Sequence, residues 1–512
     1  MAATSHPLAS QTAIEVLKAG GNAMDAAIAA CAVQCVVEPG STGIGGDCFA
    51  LYCKQGTGDI IAYDGSGRAP AAATLERLKA EGVEELTRTS PHSVIVPGAV
   101  DAWARLNTDH GRMDLAELLQ PAVGYAKGGF PLSPRVQLDW TANEAHLRSD
   151  ENLARIFLPG GTVPEVGAIH RLLGYGAALE QVGREGRDAF YKGDLAREMV
   201  ETLQAKGGLH TMEDFAAAAG NYVTTITTGF AGQAIHECPP AGQGVIALLL
   251  MNMMKHAPDM EMLSVERIHL ELEACRRAYA ARSLYLGDAS KDAVPVEALL
   301  SADYAKALFD DISMDEARAV SNAVTLKPHR DTVYISVVDK DRNVASFINT
   351  LFWGWGSGIT TPESGIVFTN RGEGFVLEEG HPNCIAPGKR PLHTIIPGML
   401  SRDGRATMSF GVMGGEYQAM GHMQFLTRVL GYGLDVQEAQ DAPRWMVDPF
   451  TGAVEIEGAV PDEVVGALRA KGHDIARATR PIGGSQAIGI DWRTGVLVGG
   501  SDPRKDGCAI GY

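Results

Sequence analysis

The sequence predicts an α+β protein. Long helical patterns dominate its first half, β-structure takes over from Thr332 to about residue 412, and short strands return near the C-terminal end. The opening reads as two helices, a glycine loop and two strands, Cys48 to Cys53 and Asp59 to Tyr63. Gly20-Gly21-Asn22 ends the first helix and caps the second, with Asp25 at its N3 position. The mostly apolar run from Ala26 to Val37 is too short to cross a bilayer and reads as a buried helix. Helical patterns follow at Ala99 to Asn107, after Pro97-Gly98, and at Leu115 to Lys127. Another runs from Leu195 to Lys206 and stops at Gly207-Gly208. Tyr222 to Phe230 and Gln233 to Glu237 read as strands. Gly244 to His256 and Val265 to Leu284 read as helices. Beyond the β-rich region come helices Glu416 to Leu430 and Pro461 to Lys471, then strands Ser485 to Ile490 and Val496 to Gly499. No internal repeat or low-complexity tract interrupts them.

At 512 residues the chain has room for about three average domains or one large one. Charged residues at 21% and hydrophobic residues at 45% are ordinary for a globular enzyme. A net charge of −18 argues against a nucleic-acid or anionic-membrane partner. The N-terminus has no basic stretch followed by an apolar one, so a cytoplasmic protein is expected. The 8 cysteines are scattered without a CxxC pair and read as small buried hydrophobes. Histidines are dispersed without an HExxH. His269 and Glu273 share a helical face and read as an exposed pair. No metal and no cofactor are expected.

Thr332 heads Thr332 to Val338, a run rich in β-branched residues that reads as a buried strand. Asp339 to Asn343 form a polar turn, and Val344 to Thr350 a second strand. A hairpin centred on residue 341 sets Thr332 opposite Thr350. Cross-strand Cβ atoms lie about 5 Å apart, so the two hydroxyls can hydrogen-bond. Such an arrangement suits an N-terminal nucleophile released by self-cleavage, although threonine is also simply common in strands. The segment Asn322 to Asp331 lacks hydrophobic periodicity and contains Pro328, which suits an exposed lead into a cleavage junction at Asp331 and Thr332.

Gly43-Ile44-Gly45-Gly46-Asp47 lacks the Gly-Lys-Ser/Thr and the following helix of a phosphate loop, and reads as a structural turn near a site. Met413-Gly414-Gly415-Glu416 lies between a strand and a helix. Its backbone N–H groups can receive an oxyanion, or simply make a tight turn. Arg371 and His393-Thr394 are polar groups among glycines and prolines, where binding residues and turn residues both occur.

Taken together, these segments resemble the γ-glutamyltransferase family of N-terminal-nucleophile hydrolases. Gly20-Gly21-Asn22-Ala23-Met24-Asp25-Ala26-Ala27, Val96-Pro97-Gly98 and Pro239-Pro240-Ala241-Gly242-Gln243-Gly244 match family motifs. So do Thr332 to Asp341, Gly356-Ser357-Gly358-Ile359, Pro387-Gly388-Lys389-Arg390-Pro391, Gly414-Gly415 and Asp502-Pro503-Arg504. The resemblance implies a four-layer αββα sandwich and a precursor that cuts itself into residues 1–331 and 332–512. The two pieces would form one composite domain, with room for a homo-oligomer of such heterodimers. Carried over residue by residue, it makes Thr332 the nucleophile, Thr350 the supporting hydroxyl, and Gly414 and Gly415 the oxyanion hole.

Departures from the family pattern fall in the substrate pocket. Ser66 stands where γ-glutamyl enzymes place a carboxylate-binding arginine, with Arg68 two residues on. Gly374 stands for their amine-binding aspartate, Phe352 for an asparagine, and His393-Thr394 for paired serines. The stretch from Glu379 to Lys389 is too short for the family's longer lid loop. The pattern is similar to the divergent members, oxamate amidohydrolase and the acylase-like proteins. An amidohydrolase or acyltransferase acting on a small carboxylate-bearing amide is therefore expected, with Arg371, Arg68, His393 and Thr394 as candidate substrate ligands. A true γ-glutamyltransferase is the alternative, and an uncut, non-catalytic ligand-binding relative is the second.

Overall fold

The computed structural model describes residues 1–318 and 332–512. Two sheets stack at its centre. The first runs, in order, Cys508–Ile510, Ala2–Thr4, Val333–Val338, Val344–Thr350, Asp47–Cys53, Ile60–Gly65 and Asn221–Thr224. The second runs Val496–Ser501, Gly484–Asp491, Arg405–Met413, Pro397–Arg402, Gln233–Glu237 and Ile226–Phe230. Their neighbouring strands are antiparallel throughout. Each sheet mixes strands from before and after Thr332, so both halves of the chain share one architecture.

Three apolar interiors separate four layers, which is the expected αββα sandwich. Strand alternation assigns each side chain to one of them. Cys48, Ala50, Tyr52, Ile335, Val337, Ala345 and Phe347 face helices including Pro7–Lys18 and Ala23–Val37. Phe49, Leu51, Cys53, Tyr334, Val338, Val344 and Ile348 face the second sheet. That sheet's other face, with Ile235, Leu400, Phe410 and Ala487, packs on helices Gly244–Met254, Val265–Tyr285 and Tyr417–Leu426. Asn22 caps the fully buried helix Ala23–Val37 in a capping box with Asp25, as expected.

The sheets approach closely where Gly411 meets the ring of Tyr334. A Cβ on Gly411 would collide with three ring carbons. The Tyr334 hydroxyl in turn bonds Ser346 Oγ at 2.7 Å and Ser409 Oγ at 3.1 Å. Gly411→Ala is therefore expected to overpack the interior and cost about 1–3 kcal/mol of stability. Urea unfolding checks this, and an unchanged midpoint would contradict the close approach.

Several expectations need correction. Tyr222 to Phe230 is two strands, Asn221–Thr224 and Ile226–Phe230, which lie in different sheets. The chain passes between layers at Thr225, and propensity alone carries no sign of such a crossing. The β-rich reading of 332 to 412 holds for four strands, while between Thr350 and Pro397 the chain has only isolated bridges and a short 3₁₀ turn at Arg371–Gly374. The helix expected to reach Leu430 is α-helical over Tyr417–Leu426 and continues as a π turn. His269 and Glu273 are buried rather than exposed. His269 Nδ1 lies 2.7 Å from His473 Nε2, and Glu273 pairs with Arg276 and Arg277, so partners offset the desolvation. The lead expected at Asn322 to Asp331, and with it the junction residue Asp331, lies outside the described residues.

Candidate active site

The hairpin has the expected register. Val344 pairs with Val338 and Asn349 with Val333, a ladder centred on residue 341. Thr332 and Thr350 are fully buried, and their Oγ1 atoms are 3.2 Å apart. Thr350 Oγ1 also accepts the Phe352 backbone N–H at 2.9 Å. Phe352 holds φ at +80°, a left-handed conformation that costs a non-glycine residue about 1–3 kcal/mol. That turn swings the Phe352 ring beneath Arg371.

The glycine loop before Asp47 is a packing device, as its sequence suggests. A Cβ on Gly46 would strike the Thr350 carbonyl, and one on Gly45 the Val367 carbonyl. Only glycine lets the loop close against the strand end that carries Thr350.

The other glycine pair ends the strand Arg405–Met413. Gly414 and Gly415 have φ of +122° and +59°, which favours glycine at both. Ser336 Oγ reaches the Ser409 carbonyl at 3.5 Å, and Tyr334 meets Gly411 two residues along. One further step along both strands leads to Thr332 on one and Met413 on the other.

Gln243 ties this loop to the expected ligand residues. Its Nε2 donates to the Thr394 carbonyl at 2.9 Å and the Gly415 carbonyl at 3.3 Å. Its Oε1 accepts from Arg282 Nη1 at 2.8 Å, and Arg282 forms a buried ion pair with Glu416. In the sequence Gln243 stands out only as part of the Pro239 to Gly244 motif. Its signal was a polar side chain at the mouth of an apolar helix, Gly244–Met254.

Arg371 is fully buried. Its Nη2 donates to Thr394 Oγ1 at 3.1 Å, and its guanidinium stacks 3.6 Å from the Phe352 ring centroid. Its Nε has no hydrogen-bond partner among the described residues. Burial pushes its pKa down to about 9, against the opposing pull of Asp47, Glu416 and Glu373. His393 is also fully buried, with Nε2 3.7 Å from Asp47 Oδ2 and its ring edge-on to Phe49. The structure thus brings Arg371, His393 and Thr394 together. Arg68 has partners of its own instead: Nη1 donates to the Gly388 carbonyl at 3.0 Å and lies 3.7 Å from Asp288.

Asp47 is the acid that sequence reading missed. It pairs directly with Thr350 in the ladder, so Asp47, Thr350 and Thr332 form a row across three adjacent strands on the face toward the second sheet. Oδ1 accepts the Gly67 N–H at 2.7 Å. Oδ2 has no hydrogen-bond partner among the described residues. Burial pushes its pKa up to about 7, opposed by the Gly67 hydrogen bond and the Arg371 charge. An acid that closes a glycine run and opens a buried strand was the available clue.

Among the described residues no cluster of three or more His, Cys, Asp or Glu could hold a metal, and no helix is long and apolar enough to cross a membrane.

Two stacked antiparallel sheets between helical layers are the αββα architecture of the N-terminal-nucleophile hydrolases. The chain belongs to the gamma-glutamyltranspeptidase family, whose model matches residues 9–512. It is 35% identical over its full length to a glutathione hydrolase-like YwrD proenzyme of Bacillus subtilis, covering 98% of that protein. It is 32% identical to an oxamate amidohydrolase proenzyme of Klebsiella pneumoniae, again over its full length and 98% of the relative. Among solved structures, cephalosporin acylase from Bacillus halodurans superposes with a TM-score of 0.92 at 38% identity, covering 99% of this chain and 94% of that one.

Proposed function

We propose that the chain is a self-cleaving amidohydrolase or acyltransferase that uses Thr332 as its nucleophile. The observation that carries this reading is the buried Thr332–Thr350 hydroxyl pair at 3.2 Å, held at the end of two paired strands. In the precursor, Thr332 Oγ attacks the carbonyl of Asp331. The acyl group moves from nitrogen to oxygen, and water hydrolyses the ester. Residues 1–331 and 332–512 result, with a free amine on Thr332.

That amine has a reference pKa of about 7.7–8.0, so near neutral pH it takes the hydroxyl proton as general base. Thr332 Oγ then adds to a substrate amide carbonyl, and the Gly414 and Gly415 N–H groups stabilise the oxyanion. The C–N bond breaks, the amine departs with the proton held by the Thr332 ammonium, and water or an acceptor amine releases the acyl group. Thr350 orients the nucleophile. Arg371, with His393 and Thr394, holds a substrate carboxylate. No cofactor or metal takes part.

The relatives' names span glutathione hydrolase, oxamate amidohydrolase and acylase. Arg371 without an acidic group at Gly374 favours a small anionic acyl group, oxamate-like or acyl-lactam-like, over a γ-glutamyl one. The test has two arms. N-terminal sequencing of the smaller fragment should read Thr-Val-Tyr-Ile. Side-by-side assays should rank oxamate or an acyl-lactam above γ-glutamyl anilide. A fully active uncut chain would sink the mechanism, and efficient glutathione turnover would sink the substrate class.

A further inference from the structure

We propose that Asp47 acts in its protonated form as a specificity-determining hydrogen-bond donor, gripping the substrate's carboxylate together with Arg371. The inference rests on the amidohydrolase reading and deepens it.

The row geometry comes first. Asp47 sits two strands from Thr332, roughly 9–10 Å at the usual strand spacing, with Thr350 between them. A reacting carbonyl lies about 3–3.5 Å from its nucleophile. A hydrogen bond from a carboxyl group to a carboxylate spans about 2.5–2.7 Å. Only a few ångströms remain, which suits an acyl group whose carboxylate is bonded directly to the reacting carbonyl. A two-carbon oxo acid such as oxamate has that shape.

Charge accounting comes second. The groups facing Asp47 are Arg371, His393, Arg390, Asp64 and the Gly67 N–H. Those facing Arg371 are Asp47, Glu416, Glu373, Arg282, Thr394 and Phe352. Arg282 is committed to Glu416, and Asn370 donates to Glu373 at 2.7 Å. Of the acids that act on Arg371, Asp47 has the largest effect, so its charge state sets much of the attraction left for an anion. Ionised, it competes with the substrate for Arg371 and repels the incoming carboxylate. Protonated, its buried oxygen Oδ2, which has no hydrogen-bond partner among the described residues, offers the anion a second donor. Burial favours that neutral form up to about neutral pH. Above it, binding a monoanion requires the uptake of one proton from solvent.

The experiment uses the processed wild-type enzyme with oxamate and its neutral analogue oxamide, from pH 6 to 8.5. The KM for oxamate should rise with pH, approaching tenfold per unit above the Asp47 titration, while that for oxamide stays level. Asp47→Asn, which cannot ionise, should flatten the oxamate profile. Its unfolding midpoint checks that it folds, and the two-substrate comparison in wild type stands even if it does not. A pH-independent KM for oxamate, an equal rise for oxamide, or an Asp47→Asn profile as steep as wild type would each overturn the inference. So would an absence of saturable oxamate use at every pH. Thr332-dependent oxamate hydrolysis with a flat KM would remove the role of Asp47 and leave the enzyme reading intact. A chain that neither cleaves itself nor depends on Thr332 would remove that reading instead.

Discussion

Thr332→Ala is expected to leave the protein as one uncut chain with no measurable turnover. A single hydroxyl serves both reactions, so both are lost together. The fall in rate should approach the order of 10⁶-fold that accompanies loss of the nucleophile in a hydrolytic site. Thr332→Ser keeps a hydroxyl and should retain part of each activity. Thr350→Ala keeps the nucleophile but removes the group 3.2 Å from it, and should slow cleavage and turnover by about 10²–10⁴-fold. Denaturing electrophoresis reads the first reaction and a product assay the second. The two readouts separate this role from a packing role. A Thr332→Ala protein that still yields the 332–512 fragment would place the nucleophile elsewhere, and a normal rate in processed Thr350→Ala would deny that hydroxyl its part.

What could be read from the sequence was local. The 332–350 hairpin needed only two β-branched runs and a polar turn, and its register came out to the residue. The Asn22–Asp25 capping box was legible for the same reason, because it is a short-range hydrogen-bonding device, whereas the Val367 and Thr350 carbonyls that Gly45 and Gly46 pack against lie far along the chain. Contacts between distant segments were not legible. Nothing near Asp47 indicates that its strand will pair with one ending at Thr350, and that pairing alone turns a loop acid into a neighbour of Thr332. The burial of His269 has the same origin, since its partner His473 lies 204 residues away, whereas Glu273 is paired within its own helix by Arg276 and Arg277. The crossing at Thr225 depends on which sheet each flanking strand joins, and strand propensity does not encode that choice.

Arg371→Ala is expected to raise the KM for an anionic substrate far more than that for a neutral analogue. Removing a buried, charged hydrogen-bond donor costs about 1.5–3 kcal/mol, or roughly 10–150-fold in apparent affinity. Oxamate should show this loss and oxamide should not. The stack on Phe352 complicates a simple deletion, because truncation also uncovers the ring and opens space beside a strained turn. Arg371→Lys separates the two effects. It keeps a positive charge but loses the flat guanidinium that both stacks on Phe352 and reaches Thr394 Oγ1. If the charge is what matters, lysine should restore part of the oxamate affinity while leaving oxamide unaffected. If packing is what matters, lysine and alanine should harm both substrates alike and lower the unfolding midpoint together. Such equal damage, or an unchanged KM for oxamate in Arg371→Ala, would remove Arg371 from the anion site. The acyl-binding residue would then have to be sought at Arg68, whose hydrogen bond to Gly388 and ion pair with Asp288 would need to yield to substrate.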